Sequence, residues 1–430
     1  MKHFICTVLF CCFAGSLSAQ ENWQSEANAR IEKHRKEDVQ ITVVKNGQPA
    51  ADAAVEVKMT QNEFLFGCNF FMFDRYQNEK ENTVYAERFA DIFNFATLGF
   101  YWASYEPHQG EPNYAYSEKA ARRCKENAIR TKGHPLVWNH SDPDWIKSLP
   151  LDDVYKLQLD RTTACAEHFR TEIDTWDVIN EVTDWEAKKN APKLTELGLK
   201  TGKPEWVKAS FAAARKGNPN ATLLINDYVH DERYAALLDK LVVDGKPVFD
   251  VIGIQSHLHG GVWDNQHLWE TCERFARFGV PLHFTELTIL STGKKNLGWR
   301  ANENWSDTPG SAEGEQQQEK DVVRIYTMLF SHPSVAAITW WDFSDKGAWM
   351  NAPAGLVRND MSPKPAYTAL KKLIKKDWAT NAALKTDADG KASVRAFRGE
   401  YQISVKLPDG TKKEFTKSVR KGNNVLELTF

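Results

Sequence analysis

The chain has 430 residues, 42% of them hydrophobic and 26% charged, with a formal net charge of -2 at pH 7. These values are those of a globular protein and give no basic field for binding nucleic acid. The length exceeds one ordinary domain and suits a barrel of about 250 residues or more with an accessory module.

The N-terminus reads Met1-Lys2-His3, an apolar run from Phe4 to Leu17, then Ser18-Ala19-Gln20. A basic start, a short apolar core and a small-residue exit predict a secretory signal peptide over 1–19, hence a secreted, periplasmic or cell-surface protein. The run is too short for a membrane span. Cys11 and Cys12 leave a lipoprotein leader as the alternative. Beyond the leader, Cys68, Cys124, Cys165 and Cys272 are widely spaced, without a metal-ligand pattern, and read as buried free thiols. Export would also permit a disulfide.

A polar, helical lead over 21–36 is followed by Val39–Val44, an Asn46-Gly47 turn and Ala54–Met59. Two alternating runs around a turn predict a hairpin. The other end of the chain has the same character, with short strands Ser393–Phe397, Tyr401–Leu407, Lys413–Val419 and Asn424–Phe430. Neither end has enough strands to bury a core alone. Gly47-Gln48-Pro49 with Ala54–Val57, and Thr386–Val405, resemble the two halves of a carboxypeptidase-regulatory-like sandwich. The expectation is one small β-sandwich formed from 20–60 and 379–430, with the barrel, 61–378, inserted into it. Two separate hairpins packed on the barrel are the alternative.

Eight apolar runs lie between these ends: Phe64–Gly67, Phe95–Thr97, Arg130–His134, Thr175–Asn180, Thr222–Asn226, Val251–Gln255, Leu282–Glu286 and Ala336–Trp341. Amphipathic stretches such as Val154–Arg170, Glu205–Lys216 and Glu319–Ser331 separate them. Strand–helix alternation implies a parallel sheet, and eight repeats imply a closed (β/α)8 TIM barrel of the α/β class. Longer polar loops are expected over 183–199 and 290–318; the second carries Trp299 and Trp305 and reads as a cleft wall or lid.

Chemistry concentrates at the predicted strand ends. His134, Trp138, Asn180, Glu181, Asn226, Gln255, His257, Glu286, Trp341 and Asp342 all sit at or just past them. One polar strand tip is commonly a satisfied core group; eight strands with polar tips point to an active site on that rim. Glu181 and Glu286 are far apart in sequence, yet a barrel brings their strand ends together. Two converging carboxyls are the minimum equipment for glycosidic bond hydrolysis, one donating a proton and one attacking, about 5–5.5 Å apart in a retaining enzyme. Asn180 is placed to bond a sugar hydroxyl, and His257 to hold Glu286 by a charge-assisted hydrogen bond. A metal site at His257-Leu258-His259 is the competing reading, without a further ligand motif to support it.

The motifs, in order, resemble glycoside hydrolase family ten, the retaining endo-β-1,4-xylanase family, over residues of about 64–370. Gly133-His134-Pro135-Leu136-Val137-Trp138 is similar to GHTLVW, and Pro143-Asp144-Trp145 to P.W. Trp176–Glu181 is similar to WDVVNE, Leu224–Tyr228 to L.NDY, and Gly253–His257 to G.QSH. Thr285-Glu286-Leu287 matches TEL, and Pro363–Tyr367 matches PKPAY. The resemblance implies that Glu181 is the acid/base and Glu286 the nucleophile. It implies His134, Trp138, Asn180, Gln255 and His257 around the sugar at the cleavage point, with Trp341 and Trp349 as an aromatic floor. It also implies a polysaccharide or oligosaccharide partner, no cofactor, no metal and a monomer.

The sequence departs from the family where the glycone sugars are gripped. The family's T.EN..KW is here Thr97-Leu98-Gly99-Phe100-Tyr101-Trp102, two residues shorter and without the Glu, Asn and Lys. Ser141 replaces a glutamine, Thr288 the aspartate that follows TEL, and Asp342 the glycine of FWG. Cleavage of a decorated xylan or another β-glycan follows from these changes, with a non-catalytic glycan-binding barrel, or a β-glycosidase of non-xylan specificity, as the rivals.

Overall fold

A computed structural model describes residues 14–187, 193–292 and 304–430, with side chains from Asn22 onward. Trp299, and residues 1–13 of the expected leader, lie outside the described residues. Eight parallel strands close into a barrel: β1 (Leu65–Asn69), β2 (Phe95–Gly99), β3 (Arg130–His134), β4 (Thr175–Asn180), β5 (Thr222–Asp227), β6 (Val251–Ile254), β7 (Leu282–Leu287) and β8 (Val335–Trp340). Closure runs through β8 and β1, with Ala337 opposite Leu65 and Thr339 opposite Gly67. Ile225, Ile252, Ile254, Phe284 and Ile338 are fully buried. That explains apolar runs without strict alternation, since helices cover the outside of the sheet and side chains fill the inside.

The helices begin where the sequence offers caps. Asn78, Asp231, Asp264 and Ser311 each accept a backbone N–H of the first turn of Glu79–Ile92, Glu232–Asp239, Asn265–Ala276 and Ala312–Ser331. Gly133 on β3 is a close-approach position. A Cβ there would come within 2.1 Å of the Trp176 ring on β4. The tip of β3, which carries His134, is thereby packed directly against the strand that carries Glu181. Cys68, Cys124, Cys165 and Cys272 are buried free thiols. No helix among the described residues is long and apolar enough to cross a membrane.

The accessory unit is a sandwich of two mixed-origin sheets. Lys36–Lys45 pairs antiparallel with Lys391–Phe397 and parallel with Asn424–Thr429. Ala54–Asn62 lies in the other sheet, between Asn381–Lys385 and Gly399–Lys406, and the latter pairs with Lys412–Val419. Val39, Ile41, Val43, Val55, Val57, Ile403, Val405 and Leu428 form the shared core. The predicted N-terminal hairpin is therefore wrong. The Asn46-Gly47 turn exists, with φ of 49° and 78°, but it returns only as far as Gln48–Pro49. Both edges of Lys36–Lys45 are already occupied by C-terminal strands, so the next strand must cross to the facing sheet. The stretch after β4 also differs from expectation. It holds the helix Lys193–Thr201, which buries Leu194, Thr195 and Leu197, a narrow apolar stripe within a polar sequence.

Arg35, 7% exposed, joins the N-terminal helix Ala14–Arg35 to the end of the barrel where the strands begin. Its guanidinium donates to the carbonyls of Phe330 (2.6 Å), His332 (2.6 Å) and Val335 (2.7 Å), and lies over the rings of Phe64 and Phe330. Arg35→Met keeps the apolar stem and leaves three carbonyls short of a donor. It is expected to lower stability by about 2–3 kcal/mol, read as a lower urea midpoint with an unchanged m-value.

Candidate active site

The strand ends converge on Glu181 and Glu286. Simple alternation along β4 would send Asn180 and Glu181 to opposite faces. The structure brings both to one place, because the register shifts between Asp177 and Ile179 and Glu181 adopts a left-handed backbone with φ of 58°. A glutamate is seldom found there, and such strain clusters at functional sites. Asn180 Nδ2 donates to Glu181 Oε1 at 3.2 Å. Gln255 Nε2 donates to the same oxygen at 3.0 Å and to Asn180 Oδ1 at 3.3 Å. Ser256, with φ of 60°, repeats the device after β6 and turns the chain into His257.

Asn226, at the end of β5, ties the two carboxyl groups into one lattice. Its Nδ2 donates to Asn180 Oδ1 at 2.8 Å and to Glu286 Oε1 at 2.7 Å, and its Oδ1 accepts from Thr285 Oγ1 at 2.6 Å. His257 Nε2 lies 3.0 Å from Glu286 Oε2, and its Nδ1 lies 2.9 Å from Thr288 Oγ1. Glu286 is 3% exposed. Burial pushes its carboxyl up to about 7, against the pull of His134 and Lys132 and with the repulsion of Glu181 and Asp177. Burial likewise pushes His257 down to about 3 despite the nearby Glu181.

Beneath this layer, Asp177 Oδ2 meets His134 Nδ1 at 2.7 Å and lies 2.6 Å from the Lys132 ammonium, an ion pair outside hydrogen-bond alignment. Lys132 and Asp177 are both 0% exposed. Burial opposes ionisation of Asp177, yet Lys132 and His134 hold it below the ordinary carboxylate range. Asp177 orients His134 toward the rim, and at Glu286 the pull of Lys132 is opposed by Asp177.

Aromatic rings form the walls. Trp341 stands edge-on to His134 (5.5 Å between ring centres) and to His257 (5.6 Å). Trp349, 41% exposed, lies 4.8 Å from His257. Trp138 is stacked with His140 at 4.9 Å. All nine sequence-derived site residues thus gather on one rim. Asn226 was legible only as a polar strand tip, without a role, and Asp177 and Lys132 were missed, although a lysine and an aspartate inside apolar strands were a readable signal. Phe71 and Tyr101 were left out as well. Tyr101 lies edge-on to His134 at 5.7 Å and 5.6 Å from Trp138, and Phe71 bridges Tyr101 and Trp341. Trp305 is not the cleft wall expected of it. It is 0% exposed and packs on Ala352 and Ala354, because a large apolar ring next to small side chains is better buried than displayed.

Residues 57–373 match the profile of glycosyl hydrolase family 10. The chain belongs to this family. Among curated proteins it is similar to the anti-sigma-I factor RsgI6 of Acetivibrio thermocellus, 27% identical over 420 residues, which is 95% of this chain and 50% of that protein. It is also similar to endo-1,4-beta-xylanase B of Thermotoga neapolitana, 25% identical over 309 residues, covering 67% and 84% of the two chains. The chain therefore spans half the length of the first relative. Among solved structures, native xylanase 10B from Thermotoga maritima shares the fold, with a TM-score of 0.61 at 23% identity over 73% of this chain and 96% of that one.

The burial of Glu286 has a direct readout. In protein carrying carbon-13 at glutamate carboxyls, one signal is expected to titrate near pH 7, above the ordinary value of about 4.3, and to vanish in Glu286→Gln. Asn226→Ala removes a donor to the ionised form and is expected to move that midpoint higher. A midpoint below pH 5 would contradict this description of the site.

Proposed function

We propose that this chain is a retaining, endo-acting β-glycoside hydrolase, xylanase-like, acting on xylan or a decorated β-glycan. The observation that carries the reading is the pair of carboxyls at the rim of a family 10 barrel, held by different partners. Glu181 is bonded by the amides of Asn180 and Gln255. Glu286 is bonded by Asn226 and faces His257. Different surroundings give two like groups different tasks. Glu181 protonates the glycosidic oxygen while Glu286, in the ionised form that burial confines to about pH 7 and above, attacks the anomeric carbon from the other side. Glu181, now a carboxylate, takes a proton from water as that water displaces Glu286, and the starting configuration is restored. Asn180 sits beside Glu181 as a donor to the sugar hydroxyl next to the reacting carbon. Trp138, Trp341 and Trp349 offer ring faces to the C–H faces of sugars.

The loop after β2 supports a glycone side unlike one built for plain linear xylan. Phe100 and Trp102 turn into the core, 0% and 2% exposed, and leave Tyr101 with Phe71 as the wall. That wall is aromatic, where charged side chains would grip sugar hydroxyls. The leader-like sequence over 1–19 supports secretion, with a polysaccharide encountered outside the cytoplasm.

The test is a substrate panel of linear xylan, decorated xylans, mixed-linkage glucan and aryl β-glycosides, with Glu286→Gln as the reference. Decorated or non-xylan β-glycans are expected to be cleaved faster than linear xylan. The first-formed product is expected to be the β-anomer by proton NMR. Glu286→Gln is expected to lose on the order of a thousandfold or more in kcat while still binding. Binding without turnover in the unaltered protein would favour the glycan-binding alternative, and an α-anomeric first product would exclude retention.

A further inference from the structure

Thr288 stands immediately past β7 and is 0% exposed. The backbone fixes it opposite His257. Leu258 N donates to Thr288 O at 2.9 Å, and Thr288 N donates to Ser256 O at 3.4 Å. The Thr288 hydroxyl oxygen then has two neighbours, His257 Nδ1 at 2.9 Å and the Glu286 carbonyl oxygen at 3.2 Å. The other ring nitrogen of His257 faces the Glu286 carboxyl at 3.0 Å.

A neutral imidazole carries one N–H and one lone pair, whereas a hydroxyl both donates and accepts. Two arrangements satisfy both ring nitrogens without a charge on the ring. When Glu286 is protonated, its O–H donates to His257 Nε2, His257 Nδ1–H donates to Thr288 Oγ1, and the Thr288 hydrogen points to the Glu286 carbonyl. When Glu286 is ionised, His257 Nε2–H donates to the carboxylate, and the Thr288 hydroxyl swings round to donate to Nδ1. One proton leaves the pair between the two arrangements, and the tautomer changes. A carboxylate in place of Thr288 can only accept. It would hold a hydrogen on Nδ1 in both states and require an imidazolium whenever Glu286 is ionised.

We propose that Thr288 is a positioning residue whose rotating hydroxyl follows the protonation state of Glu286, so that His257 stays uncharged whether or not the nucleophile carries its proton. The role assigned to Glu286 rests on the function proposed above. The groups around the pair agree with this. Lys132 and Asp177 are already matched to one another, and His134 bonds Asp177. The ionised Glu286 carboxylate, 3.0 Å from Nε2, favours an imidazolium at 257, and Glu181 pulls the same way; burial outweighs that pull. His259 is neutral for the same reason, pushed down to about 3. Burial pushes the Asp342 carboxyl up to about 7, and that of Asp227 likewise to about 7. Burial also raises the Tyr101 phenol well above its ordinary value.

Nitrogen-15 NMR of histidine in the full chain reads the tautomer without substrate or turnover. Between pH 5 and 9, His257 is expected to show the Nδ1–H tautomer at low pH and the Nε2–H tautomer at high pH. The crossing should share the Glu286 midpoint, with no imidazolium. Thr288→Val keeps the β-branched shape and removes the hydroxyl; the crossing is expected to disappear, and Thr288→Ser is expected to restore it. Thr288→Asp is expected to produce imidazolium at 257 and to lower the Glu286 midpoint by at least about one unit. Imidazolium in the unaltered protein between pH 5 and 8, or an unchanged crossing in Thr288→Val, would overturn the proposal. The expected tautomer change in a protein that cleaves no glycan would leave this proposal standing and sink the hydrolase reading. Normal turnover with imidazolium at 257 would do the reverse.

Discussion

Burial of the Glu286 carboxyl at the rim of a closed barrel sets the terms for everything around it. A desolvated carboxyl is costly to ionise, and its oxygens need fixed donors. Asn226 meets one oxygen and His257 faces the other. Each of those is pinned in turn, Asn226 by Thr285 and Asn180, and His257 by Thr288. The same amides reach Glu181 through Asn180 and Gln255. The outcome is a lattice of neutral donors above one compensated ion pair, Lys132 with Asp177. Pre-set dipoles of this kind stabilise developing charge without reorganising, which is the largest contribution most active sites make to rate.

The accessory sandwich answers a different need. The chain enters the barrel at the end where its strands begin, opposite the rim, and strands from both flanking segments share one small core. The N-terminal strands Lys36–Lys45 and Ala54–Asn62 each sit between C-terminal strands, and this interleaving produces two four-stranded sheets. Arg35 fastens the lead helix to the carbonyls at the start of β8. This division fits the general pattern of such barrels, in which one face carries stability and the other carries chemistry.

Much of this was legible in the sequence. The eight strands were readable because runs such as Val251–Ile254 are apolar on both faces, and the helices because their apolar positions recur at helical spacing. Glu181 and Glu286 stood out because each ends an apolar run. What escaped had physical reasons. The left-handed backbone at Glu181 has no glycine or asparagine to announce it. The fate of Ala54–Asn62 depended on strands more than three hundred residues away competing for the edges of Lys36–Lys45. Trp305 read as part of a cleft wall or lid because sequence gives an aromatic ring's identity and not its depth. Asn226 was noted as a strand tip, but its part in linking the two glutamates comes from hydrogen bonds among three strands, which no local pattern records. Thr288 was visible as a departure from the family, yet its meaning depended on the positions of both His257 nitrogens.

In the proposed reaction Glu286 forms a covalent bond to the sugar. The most direct measurement uses an activated 2-deoxy-2-fluoro β-glycoside of the best substrate found. Fluorine slows both steps, and the activated leaving group restores the first, so a covalent intermediate accumulates. Peptide mass spectrometry then locates the adduct. The account predicts one sugar per chain on the peptide containing Glu286, released slowly when an acceptor sugar is added. Continued turnover of the fluorosugar without an adduct, or an adduct on a different residue, would contradict it.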